Sequence, residues 1–417
     1  MRLLWEALRS RRFVLIWVGQ LIAQTGDWFT YVAVCTRLYD MGYGATAISG
    51  FLISQMAAYL VLGQFAGVLV DRFDRRRTMI ATDLLRAACI AGVIFCRPLW
   101  AIYLLVFIAG IGSTLFRPAL QASVPNLVDP EAVNGANSLV ATAYNFGFVF
   151  GPSLGGLATA LFGGTWAIAI NSVTFLASAA LISATSVPRA ERPAARLDAR
   201  AAFTDIREGL AFLRRHPDVL VACVSLFFIL AVCGMVNVIE VYFAREVLLT
   251  DERGFGFMLT AWGAGMMAGA LGTGLFRLDK GAMAYLLALV AVEGIGVGLT
   301  GFARSLPFAL VMLFLGGLGN GAMNVAGATI IQQGTPDRLR GRVFATRFML
   351  AYSAWAASLA VAGYLPALFS LRALYWFAGL WHAGVVLLSL WILAAGRKRH
   401  GSFNHSSSTN SFRTDLT

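Results

Sequence analysis

The sequence predicts an all-α polytopic membrane protein, with twelve transmembrane helices in two six-helix pseudo-symmetric bundles. Three observations predict it. Of the 417 residues, 58% are hydrophobic and 13% charged, and the mean hydropathy is +0.72; soluble globular chains carry about 25% charged residues. Apolar runs of roughly 20 residues, each long enough to cross about 30 Å of hydrocarbon as a helix, recur between positions 13 and 395. The strands of an outer-membrane barrel would instead give alternating segments of about ten residues. A polar connector near the middle leaves six runs on each side, which points to a duplicated unit.

Taken in order, the chain opens with a basic tail, 1–12. No short apolar region with a small-residue cleavage site precedes the first run, so that run is expected to be an uncleaved anchor. The N-terminal bundle, 13–186, holds spans at 13–38, 46–70, 78–96, 99–123, 135–162 and 166–186. The connector, 187–218, ends with Phe203, Ile206, Leu210 and Leu213 at spacings of three and four and Arg on the other face. That is an amphipathic helix of the kind that lies along a membrane surface. The C-terminal bundle, 219–395, holds spans at 219–247, 254–276, 282–302, 307–332, 343–369 and 373–395. The tail, 396–417, is basic and then rich in Ser and Asn, a composition that predicts disorder. The halves match weakly at an offset near 207, where "GVLVDRF" (67–73) is echoed by "GTGLFRLDKG" (272–281).

Lys and Arg set the orientation. They crowd the N-terminal tail, the turn after the second span, the connector, the loop around Arg338–Arg347 and the C-terminal tail. The opposite loops hold only Arg37, Arg97, Arg245, Arg253, Arg304 and Arg372. Basic residues are retained on the cytoplasmic side, so both termini are expected there, in a bacterial inner membrane. Anionic lipid headgroups account for the net charge of +12 without nucleic acid. Cys35, Cys89, Cys96, Cys223 and Cys233 lie in apolar runs without metal-ligand spacing and read as packing residues. Neither a metal nor a cofactor is expected. His382, alone in the last span, reads as a packing residue in preference to a proton relay.

Acids inside spans are the sharpest functional signal, because an Asp at mid-bilayer costs roughly 2.5–3.5 kcal/mol. In the first span Gln20, Gln24, Asp27 and Tyr31 follow at spacings of four, three and four, a polar stripe on one helix face. Asn237 and Glu240 are three apart in the seventh span, and Asn320 and Asn324 four apart in the tenth. Each stripe fits either a wet cavity or hydrogen bonds between helices. Tyr59, Tyr144, Trp262, Tyr352 and Trp355 fall where a flat or greasy substrate would stack, or where helices simply pack. Asp83 and Arg86, three apart, predict a local ion pair. Glu293 fits a packing-side acid or a lipid-facing, protonated one as well as a transport residue.

Between the second and third spans, "GVLVDRFDRRR" (67–77) packs Asp71, Arg72, Asp74, Arg75, Arg76 and Arg77 into one short turn. Arginines alone would anchor topology, so the acids ask for another role. The stretch resembles the signature of the major facilitator superfamily, Gly-x-Leu-x-Asp-Arg-x-Gly-Arg-Arg, at Gly67, Leu69, Asp71, Arg72, Arg75 and Arg76. It departs at Asp74, where the family has Gly. The resemblance covers the whole chain and implies the major facilitator fold. It also implies a monomer and a central cavity lined by the first, fourth, seventh and tenth spans. It further implies a latch in which Asp71 and the arginines join the two halves in the outward-open state, with Arg342 among the partners. "GFVFGPSLGG" (147–156) is similar to the family's exporter motif, with Gly147, Gly151, Pro152, Gly155 and Gly156 forming a close-packing seam. Ser138 stands where the motif's earlier glycine is usual. "GQLIAQTGDWFTYVA", "FRPALQASVP" and "REGLAFLRRHP" resemble a subgroup that exports macrolides, other amphiphilic drugs or siderophores.

The function that follows is secondary active export of an amphiphilic small molecule by alternating access. Protons are the coupling partner, with Asp27 and Glu240 as the coupling candidates. No phosphate-cradling Gly-x-x-x-x-Gly-Lys-Ser/Thr stretch is present to use ATP. The fourth span lacks the Arg common in proton-coupled drug exporters, which weakens the proton reading. A flippase for lysophospholipid-like molecules is the nearest alternative, and a non-transporting sensor or scaffold the alternative of another class. No nucleophile–base constellation suggests an enzyme.

Overall fold

The computed structural model describes residues 2–187, 199–275 and 281–408. Among these the regular structure is helical, with no strand. The order is α1 (Arg2–Arg9), α2 (Arg11–Asp40), α3 (Ala45–Asp71), α4 (Arg75–Phe95), α5 (Leu99–Ser123), α6 (Val133–Phe162), α7 (Gly164–Ser183) and α8 (Ala199–Arg215). Then follow α9 (Pro217–Tyr242), α10 (Glu252–Gly274), α11 (Ala282–Thr300), α12 (Leu306–Gly334), α13 (Asp337–Ala362), α14 (Leu365–Leu368) and α15 (Leu371–Ser408). The last helix runs past position 396, so the tail predicted to be disordered is helical in its backbone as far as Ser408. Residues 409–417 and the echo segment 276–280 lie outside the described residues.

Twelve of these helices are long enough to span, and ten are also apolar enough. The two that fall short are α2, with its polar stripe and Arg37, and α13, whose first half carries Arg338, Arg340, Arg342 and Arg347. Both are packed into the bundle, so their polar side chains meet protein. Helix ends follow local chemistry. Ser10 accepts from the Phe13 N–H and caps α2; Asp251 accepts from the Arg253 and Gly254 N–H groups and caps α10. Gly163 alone joins α6 to α7, at a φ of +86° that an L side chain resists.

The two halves repeat one packing scheme. In the first, α2 packs on α6 and α7, α3 on α5, and α4 on α5 and α7. In the second, α9 packs on α13 and α15, α10 on α12, and α11 on α12 and α15. The halves meet through α6 on α10 and α3 on α13. Those contacts gather toward the end away from the charged Asp71–Arg77 turn. There the Ser153 N–H donates to Thr260 Oγ1 at 3.0 Å, and Arg245 pairs with both Asp40 and Glu252. Toward the Asp71–Arg77 end, Phe65, Leu69 and Phe73 of the second-span region and Phe348 of α13 are exposed. A side chain at Gly67 would meet nothing within 4 Å. Among the described residues the halves are therefore closed together at one end and parted at the other.

The connector helix α8 folds onto the start of α13, with Gly209 against the Arg342 carbonyl and Leu213 buried. The Phe203 and Ile206 side chains lie outside the described residues.

Candidate functional site

Within the polar stripe of α2, Asp27 turns toward the inside of its own half, while Tyr31 stacks on Phe255 of the other half. Gly26 lets α7 approach so closely that a Cβ there would sit 2.5 Å from Asn171 Oδ1. Asn171 is fully buried and donates through Nδ2 to Thr30 Oγ1 at 2.7 Å. Asp27 lies beside Asn171 and within electrostatic range of Arg86 and Asp83 on α4. Asp83 and Arg86 form a buried ion pair, and the Arg86 guanidinium lies over the rings of Phe116 and Phe175, at 4.8 and 4.3 Å. Tyr144 of α6 feels Arg86 and Asp27 as well, and the Arg117 guanidinium lies 5.1 Å from its ring. The interior of the first half thus holds two carboxyl groups and one buried guanidinium.

The stripe residues differ in access. Gln24, Asp27, Tyr31, Tyr144, Asn237, Asn324 and Trp355 are partly exposed. Gln20 is fully buried, and Glu240 and Asn320 are buried, so these three are out of reach of a large ligand in this conformation. Glu240 stands near the closed end, where Tyr31 and Cys35 of α2 and Tyr375 of α15 feel its charge. Asn237 accepts at Oδ1 from Trp355 Nε1 at 3.2 Å, joining α9 to α13. Asn320 turns into its own half and donates to Glu293 Oε1 at 2.8 Å. Tyr59 and Tyr352 approach across the halves with ring centroids 5.7 Å apart.

Of the residues for which the signature implies a latch, Arg75, Arg76 and Arg342 have partners within their own halves. Arg75 donates to the Ala122 carbonyl at 2.7 Å, and Arg76 to the Ile182 and Ser183 carbonyls at 3.3 and 2.6 Å. These are the last turns of α5 and α7, where a cation suits the helix dipole. Arg342 pairs with Glu208 of α8. Arg72 is exposed, and the Asp71 side chain lies outside the described residues. Asp74, the departure from the family signature, acts locally. Its carboxylate accepts from the Arg77 N–H at 2.9 Å and caps α4.

The glycine seam of α6 has two neighbours. Gly147, Gly151 and Gly155 face Gln24, Trp28 and Phe29 of α2, while Gly156 faces Glu252 and Gly256 of α10. The Pro152 carbonyl lies against Gly256.

Sequence reasoning missed three groups. Arg347, read as part of a basic loop, is buried. Because α13 starts at Asp337, a rise of 1.5 Å per residue carries Arg347 about 15 Å along it. Asn171 gave no signal as a lone amide among apolar residues. Glu293 and His382 were each weighed alone, yet they meet, with His382 Nε2 3.6 Å from Glu293 Oε1.

Set beside known proteins, residues 4–414 match the family model described as Transmembrane secretion effector. The chain is 28% identical to the multidrug efflux pump Tap of Mycolicibacterium fortuitum over 92% of its own length and 93% of that protein's. It is 23% identical to macrolide efflux protein A of Streptococcus pyogenes, over 80% and 84% of the two chains. Among solved structures, a bacterial homologue of the lysosomal transporter Spinster, crystallised inward-facing and unoccupied, superposes with a TM-score of 0.68 at 13% identity, over 93% and 96% of the chains. The nucleoside transporter NupG superposes at 0.74 and 10% identity, over 92% and 99%. The fold and these matches define a multi-pass membrane transporter of the major facilitator type. The chain belongs to the transmembrane secretion effector family.

Proposed function

We propose that this transporter is a secondary active exporter of an amphiphilic small organic molecule, a drug-like compound or a siderophore, in the cytoplasmic membrane of a bacterium. The observation that carries this is the pair of halves joined at one end and parted at the other, together with partly exposed polar side chains on spans of both halves. With the basic end cytoplasmic, this is the inward-open form, ready to load from the cell. The efflux relatives support the outward direction. Alternating access then consists of parting α6 from α10 and closing α3 on α13 at the basic end.

Proton antiport supplies the energy, and Asp27 is its principal carrier. Two carboxyl groups share Arg86 in the first half, so that interior is neutral only when one of them holds a proton. An unpaired charge there would be costly. A charge moved across 100 mV is worth about 2.3 kcal/mol, enough to drive a useful gradient. The test is efflux of a cationic dye and of a siderophore from proteoliposomes under an imposed pH gradient, with wild type beside Asp27→Asn. The wild type is expected to respond to the gradient and the variant to lose that response. Equal export by both at every pH would make Asp27 structural.

A further inference from the structure

The C-terminal half contains a buried acid and a buried imidazole that the transport cycle proposed above leaves unused. Glu293, midway along α11, and His382, on α15, are each 2% exposed. His382 Nδ1 lies 2.7 Å from the Ala378 carbonyl. A carbonyl only accepts, so Nδ1 carries a hydrogen. Nε2 is then either the bare nitrogen of a neutral ring or the second N–H of an imidazolium. It has no hydrogen-bond partner and faces Glu293 Oε1 at 3.6 Å. A bare nitrogen facing an ionised carboxylate, away from water, sets lone pair against lone pair. One proton on that line, held by the carboxyl or by the imidazole, removes the conflict. Glu293 Oε2 is buried and unpartnered as well. Oε1 receives the Asn320 amide, and Asn324 donates to Asn320 Oδ1 at 3.2 Å from the partly exposed side of α12.

The first half supplies the comparison. A Cβ on Gly112 would lie 2.9 Å from Arg86 Cγ and 3.2 Å from the Thr82 carbonyl. One on Gly319 would lie 2.5 Å from the Glu293 nitrogen and 2.7 Å from the Leu289 carbonyl. Gly112 and Gly319, Arg86 and Glu293, Thr82 and Leu289, and Phe175 and His382 are all separated by the same 207 positions. Where the first half has a guanidinium over an aromatic ring, the second has a carboxyl group facing an imidazole. Arginine does not give up its proton in proteins; a carboxyl–imidazole pair does.

We propose that Glu293 and His382 form a proton-binding site in the C-terminal half, holding one proton between Oε1 and Nε2 and exchanging it with water during the transport cycle. The coupling to transport rests on the antiport reading above; the binding of the proton does not. Titratable groups facing the pair come from α9, whose Cys233 feels both Glu293 and Glu240. From α12 the facing groups are the amides Asn320 and Asn324, and on α15 Tyr375 faces Glu240. The test uses the purified full chain in lipid. Infrared difference spectra between acidic and alkaline solution report the carboxylic-acid band, and ¹⁵N-imidazole NMR reports the protonation of His382 among the four histidines. Wild type is expected to give a carboxyl change that Glu293→Gln removes, accompanied by a change at His382 Nε2 with Nδ1 protonated throughout. Should Glu293→Gln fail to fold, His382→Phe, which restores the ring of the first half, carries the test: the Glu293 band must move. Identical spectra in wild type and variant overturn the site, even where efflux is proton-driven. A pH-indifferent wild-type efflux with the expected spectra would sink the antiport reading and leave the proton site standing.

Discussion

Arg86 is the residue on which the first half's electrostatics turn. It is 1% exposed, paired with Asp83 and held between two aromatic rings, with Asp27 in electrostatic range. Removing it leaves two carboxyl groups without a cation, whereas removing Asp83 leaves Arg86 with Asp27. Arg86→Leu is therefore expected to cost about 3–5 kcal/mol, the usual penalty for breaking a buried pair, and Asp83→Asn clearly less. Thermal unfolding in detergent measures both; equal losses would mean that Asp27 does not compensate. The pair itself was legible, because residues three apart on a helix share a face. That Phe116 and Phe175 flank the guanidinium was not, since those rings come from other helices.

At the scale of elements, the seam between α6 and α10 is expected to decide how tightly one end of the molecule closes. A Cβ on Gly156 would stand 2.5 Å from the Glu252 carbonyl, which is backbone of the other half and has no rotamer to change. Gly156→Ala should thus cost about 1–3 kcal/mol by overpacking, and the cost should fall on the closed arrangement. A cysteine at Ser49 reports it: that residue is 5% exposed and its Oγ would lie 2.9 Å from a Cβ on Gly363 across the halves. Maleimide labelling of Ser49→Cys is expected to rise when Gly156→Ala is added. Gly92→Ala is the control, since its Cβ would meet only the Leu105 side chain, and a helical Gly→Ala change favours the helix. Unchanged labelling in the Gly156 variant would show that the seam does not govern closure. The glycines stood out in the sequence, but not their division between α2 and α10. Spacing along a helix reports which residues share a face without saying which helix occupies it.

For the whole molecule, the charged turn is expected to act on the opposite equilibrium. In the present form Arg75 and Arg76 bind helix ends within the first half, and Arg342 binds Glu208 within the second. Closing the basic end would bring the two halves' charged groups there together, which is the latch implied by the signature. Asp71→Asn is expected to weaken that closed form and favour the present one. Labelling at Ser49→Cys should then fall, opposite in sign to the Gly156 effect. No change on labelling would leave the turn a topology anchor. The basic loops, the duplicated halves and the turn itself were readable from composition and order. The conformation was not, because both forms use the same helices and differ only in which ends touch.

By itself the sequence determined which segments leave water, how many helices they form and that the chain is doubled. Hydrocarbon acts on each stretch of chain separately, and the period of a helix is written in adjacent residues. Only the tertiary structure decided the partners: Asn171 beside Asp27, Arg347 inside its half, and His382 opposite Glu293. Those pairings join residues far apart in the chain. A buried charge is stabilised by whatever group the fold brings to it, whatever the distance along the sequence.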